Sequence, residues 1–126
     1  MKAGRKHRVP LAPRAVEIVQ RARSLGGDSD FVFPGASPSR PLSNMVFLMT
    51  LRRMRVDATA HGFRSAFRDW AAESTNFPRE ACEMALAHAI ADKTEAAYRR
   101  GDLFEKRREL MCAWTRFVIS QLKTSR

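Results

Sequence analysis

Acidic residues are scarce in this chain: 13 Asp and Glu stand against 23 Lys and Arg, a formal net charge of +10 over 126 residues. So few carboxylates disfavour a calcium or magnesium cage. The cationic excess points instead to a polyanionic partner, nucleic acid being the commonest. Cysteine is also sparse. Cys82 and Cys112 lie thirty positions apart, with no CxxC and no paired-histidine spacing. That argues against a zinc site and for buried free thiols in a reducing compartment. No apolar run reaches membrane-spanning length and no secretory leader opens the sequence, so a cytoplasmic protein with no membrane partner is expected. Internal repeats and low-complexity tracts are missing.

Tyrosine occurs once, at Tyr98, followed directly by Arg99 and Arg100. Upstream stand His61-Gly62-Phe63-Arg64 and Leu86-Ala87-His88. A lone phenol among cations and imidazoles suggests chemistry on a phosphodiester: the hydroxyl attacks phosphorus while cations hold the developing charge. At 44% hydrophobic the chain has material for a core, as one domain or part of a larger one.

The expected class is mainly α with a small N-terminal β piece. Residues 1–12 read as a hairpin, with a polar turn over Lys2-Ala3-Gly4-Arg5-Lys6 and a short strand over His7-Arg8-Val9-Pro10-Leu11. The part from residue 13 to 122 reads as helical, and residues 123–126 as a frayed tail. Pro13 opens a helix that runs to Ser24, with Gly26-Gly27 past its end. Phe31-Val32-Phe33-Pro34-Gly35 is a short apolar segment closed by a turn. Ser43 is expected to cap a helix through about Arg53, and Thr59 the next, through about Glu73. Arg79 to about Ala87 is a short helix, Thr94 to Arg99 another, and a last helix starts near Asp102.

On the helix after Thr59, His61, Arg64 and Arg68 share one stripe, while Phe63, Ala66, Phe67 and Trp70 share another. The apolar stripe can pack inward while His61 and Arg64 point to a common place. Arg64 offers a fork of donors suited to two phosphate oxygens. His61 can donate to an oxygen or shuttle a proton. Taken singly, each group also has a plainer reading: a solvated basic face for His61 and Arg64, a helix-end cap for His88, a half-buried packing residue for Tyr98, a solvated lysine for Lys2.

Taken together, the segments resemble a known family. His61-Gly62-Phe63-Arg64-Ser65-Ala66-Phe67-Arg68-Asp69-Trp70-Ala71-Ala72-Glu73 resembles the HxxR box of tyrosine recombinases, and is especially similar to phage and genomic-island integrases. Glu83-Met84-Ala85-Leu86-Ala87-His88 resembles their LxH segment, and Ala96-Ala97-Tyr98-Arg99-Arg100-Gly101-Asp102 their nucleophile segment. Lys106-Arg107-Arg108-Glu109-Leu110-Met111 and Trp114 fit the same pattern. So do Met1-Lys2 and His7-Arg8-Val9-Pro10-Leu11, which resemble the hairpin presenting the catalytic lysine.

The resemblance implies a tyrosine recombinase catalytic-domain fold and site-specific recombination of duplex DNA through a 3′-phosphotyrosyl link, without metal, ATP or other cofactor. In this scheme Tyr98 is the nucleophile. Arg64 and His88 hold non-bridging oxygens, His61 assists proton transfer, and Lys2 protonates the leaving 5′ oxygen, with Lys6 as the alternative. Glu83 is implied as a helix residue supporting the site. Arg5, Lys6, Arg68, Arg99 and Arg100 are the basic side chains expected on DNA. Partners implied are duplex attachment sites and other integrase protomers, four in a synapse.

One departure matters. The family's first arginine lies upstream of the lysine hairpin, and only Met1 precedes Lys2. The chain therefore reads as the C-terminal portion of an integrase catalytic domain, N-terminally truncated. Little recombination is expected from it alone, and exposed apolar surface favours a homodimer. The alternatives are a non-catalytic DNA-binding module or inactive remnant, and a type IB topoisomerase-like enzyme.

Overall fold

The computed structural model describes residues 7–88 and 102–124. It divides into two compact units, Pro13–Ala66, and Met1–Ala12 with Phe67–Arg126. All regular structure among the described residues is helical apart from an isolated bridge between Pro34 and Pro41.

In the unit Pro13–Ala66, helix α1 (Pro13–Leu25) starts on proline, whose fixed φ suits the first turn and whose missing N–H has no partner to lose there. It ends where the Gly26 N–H reaches the Ala22 carbonyl at 3.0 Å and Gly27 turns left-handed at φ +62°. The apolar segment 31–35 closes in a tight loop, with Phe31 and Phe33 exposed. Within it the Gly35 N–H donates to the Arg40 carbonyl at 2.7 Å, and the buried Ser29 hydroxyl donates to the Pro38 carbonyl at 2.6 Å. A Cβ at Gly35 would stand 2.8 Å from the Pro41 carbonyl oxygen, so this crossing requires glycine.

Helix α2 (Val46–Arg53) begins later than expected, with Met45 and not Ser43 at its N-cap. Ser43 forms a turn before the helix: its hydroxyl accepts from the Met45 N–H at 3.2 Å and its carbonyl from the Val46 N–H at 3.1 Å. Helix α3 (Ala60–Ser74) does start on the expected cap, the Thr59 hydroxyl accepting from the Gly62 N–H at 2.9 Å. The boundary between the two units falls within α3.

In the other unit, the end of α3 is followed by α4 (Arg79–Ala85) and the long α5 (Phe104–Thr124). Phe67, Ala71, Cys82, Leu86 and Leu110 form the core, with Trp70, Phe77, Ala85, Met111 and Trp114 packed against it. These positions recur at three- and four-residue intervals, the spacing of one helix face. The Trp114 ring meets Phe67 edge-on at 5.5 Å between centroids, and Trp70 lies 5.0 Å from Trp114, geometries that aromatic pairs favour. Phe63, expected on the inward face with Phe67, is 57% exposed. The apolar packing along α3 starts one turn later. Cys82 and Cys112 are both free, but only Cys82 is buried.

Residues 7–12 carry no strand, which corrects the expected strand over residues 7–11. Two groups that a ladder would use are not available for it. Pro10 has no N–H, and the Arg8 carbonyl accepts from Arg107 Nη1 at 2.8 Å. The first arm of the expected hairpin lies outside the described residues, as do the helix expected over residues 94–99 and residues 125–126.

Leu110 is fully buried at the centre of this unit. Leu110→Ala is expected to cost about 2–5 kcal/mol, transfer and cavity terms together, measured as the change in urea unfolding free energy.

Candidate active site

The best-defined part of the site is built on the end of α4. Leu86 is the C-cap, and Ala87 takes a left-handed conformation at φ +54°. The Ala87 N–H then donates to the Met84 carbonyl at 3.1 Å and the His88 N–H to the Glu83 carbonyl at 3.0 Å. This pair of bonds is the Schellman closure, in which glycine usually occupies the position of Ala87. The closure folds His88 back over the last helical turn, so His88 and Glu83 meet through side chains as well. His88 Nδ1 lies 2.5 Å from Glu83 Oε2.

Glu83 has a second neighbour. Its Oε1 lies 3.5 Å from Arg68 Nε on α3. The hydrogen bond from His88, joined by the charge of Arg68, holds the Glu83 carboxyl below the usual glutamate range despite the opposing effect of burial. An ionised carboxylate only accepts, so the shared proton belongs on Nδ1 and Nε2 is the ring nitrogen left for another partner. Arg68, expected on DNA, is thus engaged with Glu83 through Nε, while its side chain stays largely exposed.

His61 and Arg64 occupy the first turns of α3, three residues apart and both exposed. Lys2, Arg5, Lys6, Tyr98, Arg99 and Arg100 lie outside the described residues. Four residues beyond Tyr98, Asp102 is described and firmly held. Arg8 donates to its carboxylate through Nε at 3.0 Å and Nη2 at 2.8 Å, which holds the carboxyl below its ordinary range. The Arg8 guanidinium also covers the Phe104 ring, 4.5 Å from its centroid.

The remaining reactive groups offer little. Burial pushes the Cys82 thiol up, away from the thiolate a nucleophile needs. Among the described residues no group of three His, Cys, Asp or Glu side chains stands together as a metal site would require. A shallow groove in the unit Pro13–Ala66, lined by Gly35, Arg40, Leu42, Met45 and Met49 among others, contains none of the candidate residues. No described helix is long and apolar enough to cross a membrane. Sequence reasoning gave Glu83 a generic supporting place and missed its pairing. The available signal was a glutamate five residues before a histidine, across a helix end, with a basic residue on the preceding helix.

Similarity to known proteins gives the class: over the segment it spans, the chain resembles the phage-type integrase family. It is 33% identical over 121 residues to the prophage integrase IntA of Escherichia coli strain K12, covering 94% of this chain and 29% of that protein. It is 36% identical over 113 residues to prophage integrase IntZ of the same strain, covering 88% and 28%. The integrase of Enterobacteria phage P4 is 29% identical over 119 residues, covering 90% and 27%. The chain therefore spans less than a third of the length of these curated relatives. No protein-family model matches it, and no solved structure does.

Two expectations concern this corner. Because the folded-state value of Glu83 is lowered, its contribution to stability is fully present above the ordinary glutamate range and is lost as pH falls through the folded-state value. Unfolding free energy should therefore drop more steeply below about pH 5 in the wild type than in Glu83→Gln, a difference read from urea titrations at stepped pH. Ala87→Gly, which relieves a left-handed alanine at some cost in chain entropy, should raise stability by about 0.5–1 kcal/mol in the same assay.

Proposed function

We propose that this chain is the C-terminal portion of a tyrosine recombinase catalytic domain, acting on duplex DNA in site-specific integration. The observation that carries the reading is the similarity of nearly the whole chain to phage integrases at 33–36% identity. The ordered boxes His61 with Arg64, then His88, then Tyr98, lie along it. The paired His88 supports it further, since a histidine with one nitrogen committed to a carboxylate presents the other in a set direction.

In this mechanism the Tyr98 oxygen attacks the scissile phosphorus. A tyrosyl–phosphorus bond forms, the bond to the 5′ oxygen breaks, and Lys2 (or Lys6) delivers the proton to that oxygen. The phenol proton leaves with assistance from His61. Arg64 and the Nε2 side of His88 hold the non-bridging oxygens as negative charge builds on them. A free 5′ hydroxyl of another strand then attacks the 3′-phosphotyrosine and restores Tyr98. One phosphoester is exchanged for another, so no external energy source enters. Tyrosine ordinarily ionises near pH 10, so the surrounding cations lower the cost of its attack. The cationic excess of the chain suits a duplex partner in the cytoplasm, with further protomers completing a synapse.

Residues 1–126 tested alone lack the family's first arginine. One missing preorganised donor typically removes about 10²–10³ in rate. The test is a nicked suicide duplex carrying the attachment site, incubated with the chain alone and with the chain joined to an upstream arginine-bearing segment. The expected result is a covalent protein–DNA adduct, faster by about that factor in the longer protein and abolished by Tyr98→Phe. Retarded DNA with no adduct from either protein would favour a non-catalytic DNA-binding module.

A further inference from the structure

Glu83 joins two elements that carry recombinase-like residues. From α3 comes Arg68 Nε, 3.5 Å from Oε1, and from the turn after α4 comes His88 Nδ1, 2.5 Å from Oε2. The same residue also binds His88 through the backbone, its carbonyl accepting the His88 N–H at 3.0 Å. His88 is thus tied to one residue at its main chain and at its ring. We infer that Glu83 is a positioning residue for His88, fixing which ring nitrogen carries the proton and which one is turned toward a phosphoryl oxygen. This rests on the proposed role of His88 as a phosphate-binding group.

The physical case is one of options removed. A neutral imidazole has two tautomers and can present either nitrogen. A carboxylate at Nδ1 leaves only the Nδ1–H form compatible with a hydrogen bond there, and leaves Nε2 as the outward nitrogen. When the ring is protonated, Nε2 donates to a non-bridging oxygen while Nδ1 still donates to Glu83. The charge that the ring gains is then balanced on its far side. Arg68 keeps the carboxylate from swinging away, because rotation about the Glu83 side chain would break contacts at both oxygens. Partly exposed charge pairs of this kind contribute little stability by themselves. Geometry at the ring is therefore the more consequential effect, as for the outer partners of catalytic and metal-bound histidines.

A merely structural pair and a positioning pair differ in what they move. Long-range proton–nitrogen correlation spectra of the full chain, in buffer alkaline enough to keep a free imidazole neutral, report the tautomer of His88 directly. The expected result is the Nδ1–H form in the wild type and loss of that form in Glu83→Ala, a substitution that keeps a strong helix former in α4. A wild-type ring in the Nε2–H form, or a tautomer that Glu83→Ala leaves unchanged in a protein still helical by circular dichroism, overturns the inference. A second readout is the rate of adduct formation on the suicide duplex, using the longer protein. Glu83→Ala should slow it by about 10–100-fold, the scale of a lost supporting partner, and should add nothing in a His88→Ala background. Losses that multiply in the double variant would show Glu83 acting apart from His88 and overturn the inference. Absence of any adduct from the wild type counts against the recombinase reading, and the tautomer then decides the role of Glu83 by itself.

Discussion

A guanidinium taken out of water must have its donors answered, and one side chain in the unit Met1–Ala12 with Phe67–Arg126 is subject to that demand. Arg107 is 1% exposed. Its Nε donates to the Asp102 carbonyl at 2.8 Å, its Nη1 to the Arg8 carbonyl at 2.8 Å, and its Nη2 stands 3.2 Å from the Asp102 carboxylate. Removing a partner from a buried charge is strongly unfavourable. Arg8 and Asp102, 94 residues apart in sequence, are therefore held to the first turn of α5. One turn further, Leu110 enters the core. The start of α5 thus joins a polar clamp to the apolar packing that carries α3 and α4.

That packing sets the stage for Glu83. Phe67 and Ala71 of α3 and Cys82 and Leu86 of the α4 region are buried in one cluster. Arg68 and Glu83 are their direct neighbours in sequence, so burying the apolar residues brings the polar ones into reach at the rim. The αL turn at Ala87 then adds His88 by purely local hydrogen bonds. Long-range packing and a short-range helix stop meet at one carboxylate. In the proposed recombination chemistry this is economical, since the group assigned to phosphate is oriented by polar residues that the apolar packing already brings together.

Much of the helical layout was legible. Proline at the start of α1, threonine before α3 and glycines after α1 act through local sterics and hydrogen bonds, which need no distant partner. Ser43 shows the limit. It has the chemistry of a cap, yet its hydroxyl serves a turn two residues before the N-cap. Residues 7–11 show another: they read as a short strand leaving a polar turn, yet Pro10 offers no N–H and the Arg8 carbonyl is taken by Arg107. Phe63 and Phe67 have the same helical spacing credentials, but only Phe67 has partners around it. Glu83 was visible as a residue and invisible as a hinge between Arg68 and His88, because that pairing depends on how two helices share a core.

The sequence by itself determined the class of protein, the ordered chemical groups and most helix ends, because residue order, helical period and caps are properties of neighbours along the chain. The tertiary structure alone decided that Arg107 is buried, that Arg8 is clamped to Asp102 and Arg107 without strand pairing, and that Glu83, already beside His88, also reaches Arg68. Those outcomes depend on which distant surfaces exclude water together, and desolvation is set by the packed whole and not by any local stretch of residues.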